Sequence, residues 1–288
     1  MTAWATTIPD SLLWAKKVVP VVLLALLWCW ETWRPFFRHH QRGRHAARNL
    51  GLAVVNTVVI GLMFGTVTLL VTEGTATHGL GLLNLLVLAD PWQFLLALML
   101  LDAWMYLWHR ANHLLPFLWR FHRVHHSDTQ MDVTTATRFH TGELFLSAGL
   151  RLGLIPLLGL DLWHLVAYDT LVLAVIQFHH ADISLGVLDR WLNLLIVTPN
   201  MHKVHHSDER PEMDSNFATI FSFWDRLAGT FRRRSDLRSL RFGLPEFAAP
   251  VWQTWWRLWA IPFISAEPTA PAATPHDEPT RVPQRLAG

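Results

Sequence analysis

From Leu50 to Thr72 the chain runs without one charged side chain, about the 20 residues needed to cross the hydrocarbon core of a bilayer. Three further runs share this character. Val18–Trp30 reaches spanning length once the amphipathic stretch before it is added. Gly79–Trp108 contains Asp90-Pro91, so it reads as a short loop or interfacial piece followed by a span from Pro91. Gly142–Phe178 is too long for one helix and breaks near Gly159-Leu160-Asp161 into a helical hairpin. In lipid every backbone polar group must find its partner within the chain, so such runs fold as helices. The expected fold class is all-α: an integral-membrane helical bundle of about four to five membrane-embedded helices, carrying a histidine-rich helical cap on the cytoplasmic side.

The side follows from charge. Arg34, Arg38, Arg42, Arg44 and Arg48 lie between the first two spans, and such a loop is expected in the cytoplasm. The second span leaves and the third returns, so His109 emerges on that same side. The hairpin then leaves and comes back, delivering His179 and His180 there as well, and the group at 202–206 follows without another convincing span. All the histidine groups thus converge on one membrane face, in what compact length suggests is a bacterial inner membrane. The start lacks the order of a cleavable signal peptide. Four regions are expected: membrane helices and a basic loop over 1–90, a catalytic domain over 91–241, a Trp-rich interfacial segment over 242–265, and a disordered Pro-, Ala- and Thr-rich tail over 266–288.

Charged residues make up 16% of the chain, against about a quarter in soluble domains. The net charge of +2 is too small to suggest nucleic acid. The single cysteine, Cys29, excludes both an intramolecular disulfide framework and a thiolate metal site. What the 17 histidines bind, they bind without sulfur.

Eleven of those histidines fall in three regions: His109, His113, His122, His125, His126 and His140; His179 and His180; His202, His205 and His206. On a helix, positions three and four apart share a face. His109 and His113 therefore point the same way, and each H-x-x-H-H group, 122–126 and 202–206, offers three imidazoles from one turn. Both groups are followed by Ser-Asp. Neutral imidazole suits iron, zinc, copper or nickel. The three motifs supply more ligands than one metal accepts, so two metals close together are implied. His78, His164 and His276 read as interfacial or packing residues, and His39, His40 and His45 as part of the basic cytoplasmic loop. Asp102 shares a helical face with Tyr106 and His109 and could orient a ligand imidazole, since metal-bound histidine usually donates its second N–H to such a partner. A packing role at a helix contact is the alternative.

From about Asp102 to Phe231 the chain resembles the fatty acid hydroxylase (sterol desaturase) superfamily. The resemblance rests on H-x-x-x-H at His109–His113, H-x-x-H-H at His122–His126 and again at His202–His206, and on the surrounding "LWRFHRVHHSD", "TTATRFH", "TPNMHKVHHSD" and "NFATIFSFWDRLAGTF". It implies a membrane-embedded, non-haem di-iron enzyme that uses O2 and an external electron source to hydroxylate, desaturate or cleave lipids. It also implies a lone ligand after the hairpin: Phe178-His179-His180-Ala181-Asp182 puts His180 in that place, with His179 as a neighbour and Asp182 where the family has Asn. His140 lies in a stretch like the family's R-x-H-P, with Thr141 for Pro, and stands between ligand and supporting residue. Arg138, Glu143 and Asp225 join Asp102, His179 and Asp182 as supporting residues.

The expected cofactors are two iron ions, and the expected partners are a membrane lipid and an electron donor such as a ferredoxin, cytochrome or reductase. The chain has no G-x-G-x-x-G for a flavin or nicotinamide. Two other classes compete: a zinc-dependent membrane hydrolase, in which the metals activate water, and a non-catalytic metal-binding or transport protein. Nothing in the spacing chooses among fatty acyl, sterol, carotenoid, sphingolipid and ether-lipid substrates.

Overall fold

A computed structural model describes residues 8–38 and 41–265. The described residues are mostly helical: α1 (Asp10–Trp33), α2 (Arg42–His78), α3 (Leu82–Leu85), α4 (Asp90–Leu114), α5 (Pro116–His126), α6 (Thr141–Leu158), α7 (Leu162–His180), α8 (Leu188–Leu192) and α9 (Pro199–His205), followed by short helical turns. Among the described residues the extended pairings are two isolated bridges, Ile196 with Phe221 and Ser207 with Phe242. Four helical segments are long and apolar enough to cross a membrane: α1, α2 continuing to Leu85, α6 and α7. The chain is a membrane protein. α4 matches them in length at 25 residues, but Asp102, His109 and Arg110 make its second half more polar. The spans leave large apolar side chains uncovered, among them Val21, Leu26, Leu62 and Leu70, as helices do when lipid rather than water surrounds them.

The ends of these helices follow from local chemistry. Pro91 opens α4 in the first turn, where its missing N–H costs nothing. The hairpin breaks where Gly159 takes a left-handed conformation and its N–H reaches Ile155 O. His164 begins the return helix by accepting the Asp161 N–H on Nδ1. Gly81 sits so close to the Gly159 backbone that a Cβ would collide with its nitrogen. This close approach locks the α2–α3 end against the hairpin tip.

α1 packs along α7, and α2 along α6. One core lies between α4 and the hairpin, around Leu101, Ile155, Leu165 and Tyr168. A second joins α2 and α5 to the C-terminal turns through Leu52, Val124, Phe247 and Leu258, with Trp252, Trp255 and Trp259 packed against it. Trp256 of that segment is exposed.

His45 departs from the expected place in a basic loop. It lies in the first turn of α2, 2% exposed, with Nε2 2.8 Å from Asp128 and Nδ1 3.1 Å from Asp132. The carboxylates arrive from a segment far along the chain, which no local pattern around 39–48 announces. His39, His40, His276 and the tail 266–288 lie outside the described residues.

Candidate metal centre

The C-terminal end of α4, all of α5, the start of α6, the end of α7 and α9 meet at one end of the bundle. There the motif histidines divide into two groups: His109, His113, His122, His126 and His205; and His125, His180, His202 and His206. Within each group a ring nitrogen from every member lies within 4.8 Å of the others. The division is reciprocal. α5 gives its i, i+4 pair (His122 and His126) to the first group and His125 to the second. α9 gives His205 to the first, and His202 with His206 to the second. Rings touch across the divide, with His126 stacked on His206 at 4.6 Å between centroids.

Outside the groups, an acceptor holds the second nitrogen of five rings. His109 Nδ1 lies 2.8 Å from Phe217 O, His113 Nδ1 3.2 Å from Asp214 Oδ1, and His122 Nδ1 2.9 Å from Glu143 Oε1. His180 Nδ1 lies 2.8 Å from Ile176 O, and His205 Nδ1 2.7 Å from Ser215 O. An acceptor on Nδ1 fixes the proton there and leaves the Nε2 lone pair facing inward. The inward Nε2 atoms of His109, His113, His122, His205 and His206 are buried without a hydrogen-bond partner. A buried polar atom left unpaired is costly, so such a cluster calls for a ligand. Two metal ions fit this donor set, since it offers more imidazoles than one ion can take.

Burial pushes His125, His126, His202, His205 and His206 well below the ordinary imidazole value of 6.5, and neighbouring rings add to the shift. These rings are neutral at physiological pH, the form that binds a metal.

Two histidines from the sequence reading, His140 and His179, stand apart from both groups. His140 precedes α6 and caps it, its Nδ1 accepting the Gly142 N–H at 2.9 Å, while its ring packs on Phe121 and Trp259. His179 is buried beside His202, with ring centroids 4.0 Å apart. Asp182 accepts the Phe37 N–H and offers its own N–H to Glu31 Oε1, tying the end of α7 to α1. Asp102 corrects an expectation: its carboxylate accepts the Ile220 and Phe221 N–H groups and the Trp224 indole N–H rather than an imidazole N–H. Backbone donors in an irregular segment have no helical partner, and Asp102 supplies one.

That irregular segment is what sequence reasoning missed. Asp214, Ser215 and Phe217 each hold a ring of the first group, and none was singled out. Two of them act through backbone carbonyls, which any side chain can provide. Asn216, with φ 55°, sets the turn between them and bonds Met201 O and Arg232 O. Asp225 grips the Phe217 and Ala218 N–H groups, so it supports the same carbonyl from behind. Arg138 is fully buried, bonded to Val124 O, Ser127 Oγ and Gln253 Oε1. It braces the end of α5.

A cavity of about 150 Å³ adjoins both groups, lined by His109, His125, His180 and His202 together with Trp108, Leu144 and others. Its exposed wall is mostly apolar.

A family model for fatty acid hydroxylase matches residues 94–230. Among curated proteins, an ornithine lipid hydroxylase of Rhizobium tropici is 32% identical over 165 residues, 54% of this chain and 47% of that protein. An alkylglycerol monooxygenase of Danio rerio is 32% identical over 203 residues, 61% of this chain and 40% of the relative. Cholesterol 25-hydroxylase of Homo sapiens is 29% identical over 150 residues, 49% and 52% of the two chains. The chain spans about half the length, or less, of these curated relatives. No solved structure gives a significant match. Residues 94–230, a little under half of the chain, match the fatty acid hydroxylase domain and hold every histidine of the two groups.

Proposed function

We propose that this protein is a membrane-bound di-iron oxygenase that hydroxylates or desaturates a lipid, using O2 and electrons from an external donor. The observation that carries the reading is the pair of buried imidazole groups opening onto one apolar cavity. His109, His113, His122, His126 and His205 would hold one iron, and His125, His180, His202 and His206 the other. When bound, the irons supply the activation of O2 and the removal of hydrogen from an unactivated C–H bond.

The protein's part is placement and exclusion. The outer acceptors Phe217 O, Asp214, Glu143, Ile176 O and Ser215 O keep five rings in one tautomer and orientation. Trp108, Leu144 and Ile176 present a dry surface to a lipid chain and keep bulk water from the site. A separate ferredoxin, cytochrome or reductase would deliver the electrons. The arginines of 34–48 favour a cytoplasmic site in a bacterial inner membrane, within reach of such a donor.

One observation favours a zinc-dependent hydrolase as second reading. Glu143 lines the cavity, and its Oε2 is buried without a partner, as a base for a metal-bound water would be. Metal analysis of detergent-purified protein from iron-supplemented cells, followed by oxygen uptake with a chemical reductant and membrane lipid, tests the choice. About two irons per chain with lipid-dependent uptake is the expected result. Zinc with ester cleavage and no oxygen uptake would replace the oxygenase reading by the hydrolase.

A further inference from the structure

A second, larger cavity of about 730 Å³ lies between α2 and the α6–α7 hairpin. Phe139, Leu144, Ser147 and Ile176 line both this groove and the cavity at the histidines. The two spaces therefore adjoin at four shared lining residues. Phe139 is part of that wall and stacks on His125, with centroids 4.5 Å apart.

The groove is largely apolar, with Lys16, Asn56, Thr57, Thr68, Thr137 and Ser147 also on its wall, and it carries one ion pair. Arg151 of α6 and Asp169 of α7 both line it and pair at 2.7 Å, though both belong to spanning helices. Charge at such depth is expensive and is kept for a purpose. The pair is incomplete as helix glue: it uses Nη1, while Arg151 Nη2 is buried without a partner. Lys16, the groove's other cation, lies in the second turn of α1, at the end away from the histidines.

Depth follows from helix rise. Arg151 is eight residues beyond Glu143, which touches His122, and Asp169 is eleven before His180. At about 1.5 Å per residue the pair lies about 12 to 17 Å from the histidines. An extended chain advances about 1.2 Å per bond, so roughly 10 to 14 bonds cover that distance. Asp169 already balances the Arg151 charge, which favours a neutral oxygen over an anion. A hydroxyl suits both partners, accepting from Nη2 and donating to the free carboxylate oxygen.

We infer that the α2–α6–α7 groove holds the lipid substrate with a hydroxyl or carbonyl oxygen on the Arg151–Asp169 pair, so that the pair measures which carbon, roughly 10 to 14 bonds away, reaches the metal cavity. This rests on the lipid-oxygenase reading but makes its own claim about register, and register can be read without turnover.

The test is photolabelling of metal-free protein in nanodiscs with hexadecanol carrying a diazirine about 12 bonds from its hydroxyl, against hexadecane carrying the same group. Wild-type protein labelled by the alcohol should carry adducts at Trp108, Leu144 or Ile176, about tenfold more than with the alkane, the discrimination expected of one hydrogen bond to a charged group. The R151M/D169L variant should lose that preference while keeping its metal capacity. Equal labelling by alcohol and alkane in the wild type, or wild-type adducts at Leu162 and Leu165 near the hairpin tip, would overturn the inference, and neither observation depends on a variant folding. Preference retained in the variant would overturn it too. Loss of oxygen uptake by the iron-loaded enzyme would instead count against the oxygenase reading and leave the labelling result intact.

Discussion

His122 Nδ1 lies 2.9 Å from Glu143 Oε1, so the first turn of α6 reaches across to fix a ring on α5. Such a partner sets the tautomer of a metal-binding imidazole, and losing it typically costs about 10- to 100-fold in metal affinity. Glu143→Ala is expected to weaken iron retention by that factor, with Glu143→Gln, which keeps an acceptor oxygen, losing less. Iron remaining after graded chelator dialysis checks the order. Equal retention in all three proteins would remove Glu143 from the site.

His205 belongs to the first group of rings and His125 to the second. If each group holds one ion, His205→Ala and His125→Ala should each lower metal content and abolish oxygen uptake, with different ions lost. Mass spectrometry of metal per chain, paired with activity, decides this. Full metal and activity in both variants would sink the assignment of ligands.

Asp102 holds three buried N–H groups of the 220–224 segment, two from the backbone and one from Trp224. Asp102→Asn keeps one acceptor and turns a donor toward another donor. A loss of about 1–3 kcal/mol is expected from the unpaired groups, visible as a lower Tm in detergent. Because the residue grips the segment rather than a ring, iron content at low temperature should fall little. An unchanged Tm contradicts this role.

The acid limb of stability has a definite sign. His125, His126, His202, His205 and His206 are held well below 6.5 in the folded chain, chiefly by burial. Below that pH the unfolded chain binds more protons than the folded one, so stability is lost as pH falls from 6.5. Each such ring contributes up to about 1.4 kcal/mol per pH unit. The Tm of metal-free protein should be nearly flat from this group above pH 7 and drop steeply between about 6.5 and 5. A flat profile across that window would show that these rings are not buried neutral.

The arginine-rich stretch 34–48 predicts the side of the membrane. A reporter joined after Ala266 should read as cytoplasmic in a bacterial host. A periplasmic reading would reverse the proposed orientation and require a different electron donor.

Helices and their number were legible from the sequence because a bilayer imposes them: a run without charge must close its own hydrogen bonds, and Asp90-Pro91 and Gly159 mark ends by local chemistry. The convergence of His109, His122, His180 and His202 at one end of the bundle was legible too, since it follows from counting spans. His45 was not. Its buried place depends on Asp128 and Asp132, more than 80 residues away, and a basic stretch looks the same whether one ring turns inward or not.

The sequence alone determined which residue types could gather: two H-x-x-H-H turns, an H-x-x-x-H turn, and no sulfur to compete with them. Only the tertiary structure decided how they divide, with α5 and α9 each giving their i, i+4 pair to opposite groups. It alone revealed that Asp214, Ser215 and Phe217 hold the outer nitrogens, and that an ion pair sits in the groove beside the site. The physical reason is the same in each case. Periodicity along a helix is written in the side chains of that helix, whereas a bond from a ring to a distant carbonyl is set by how separate segments pack, and a carbonyl leaves no trace in the identity of its residue.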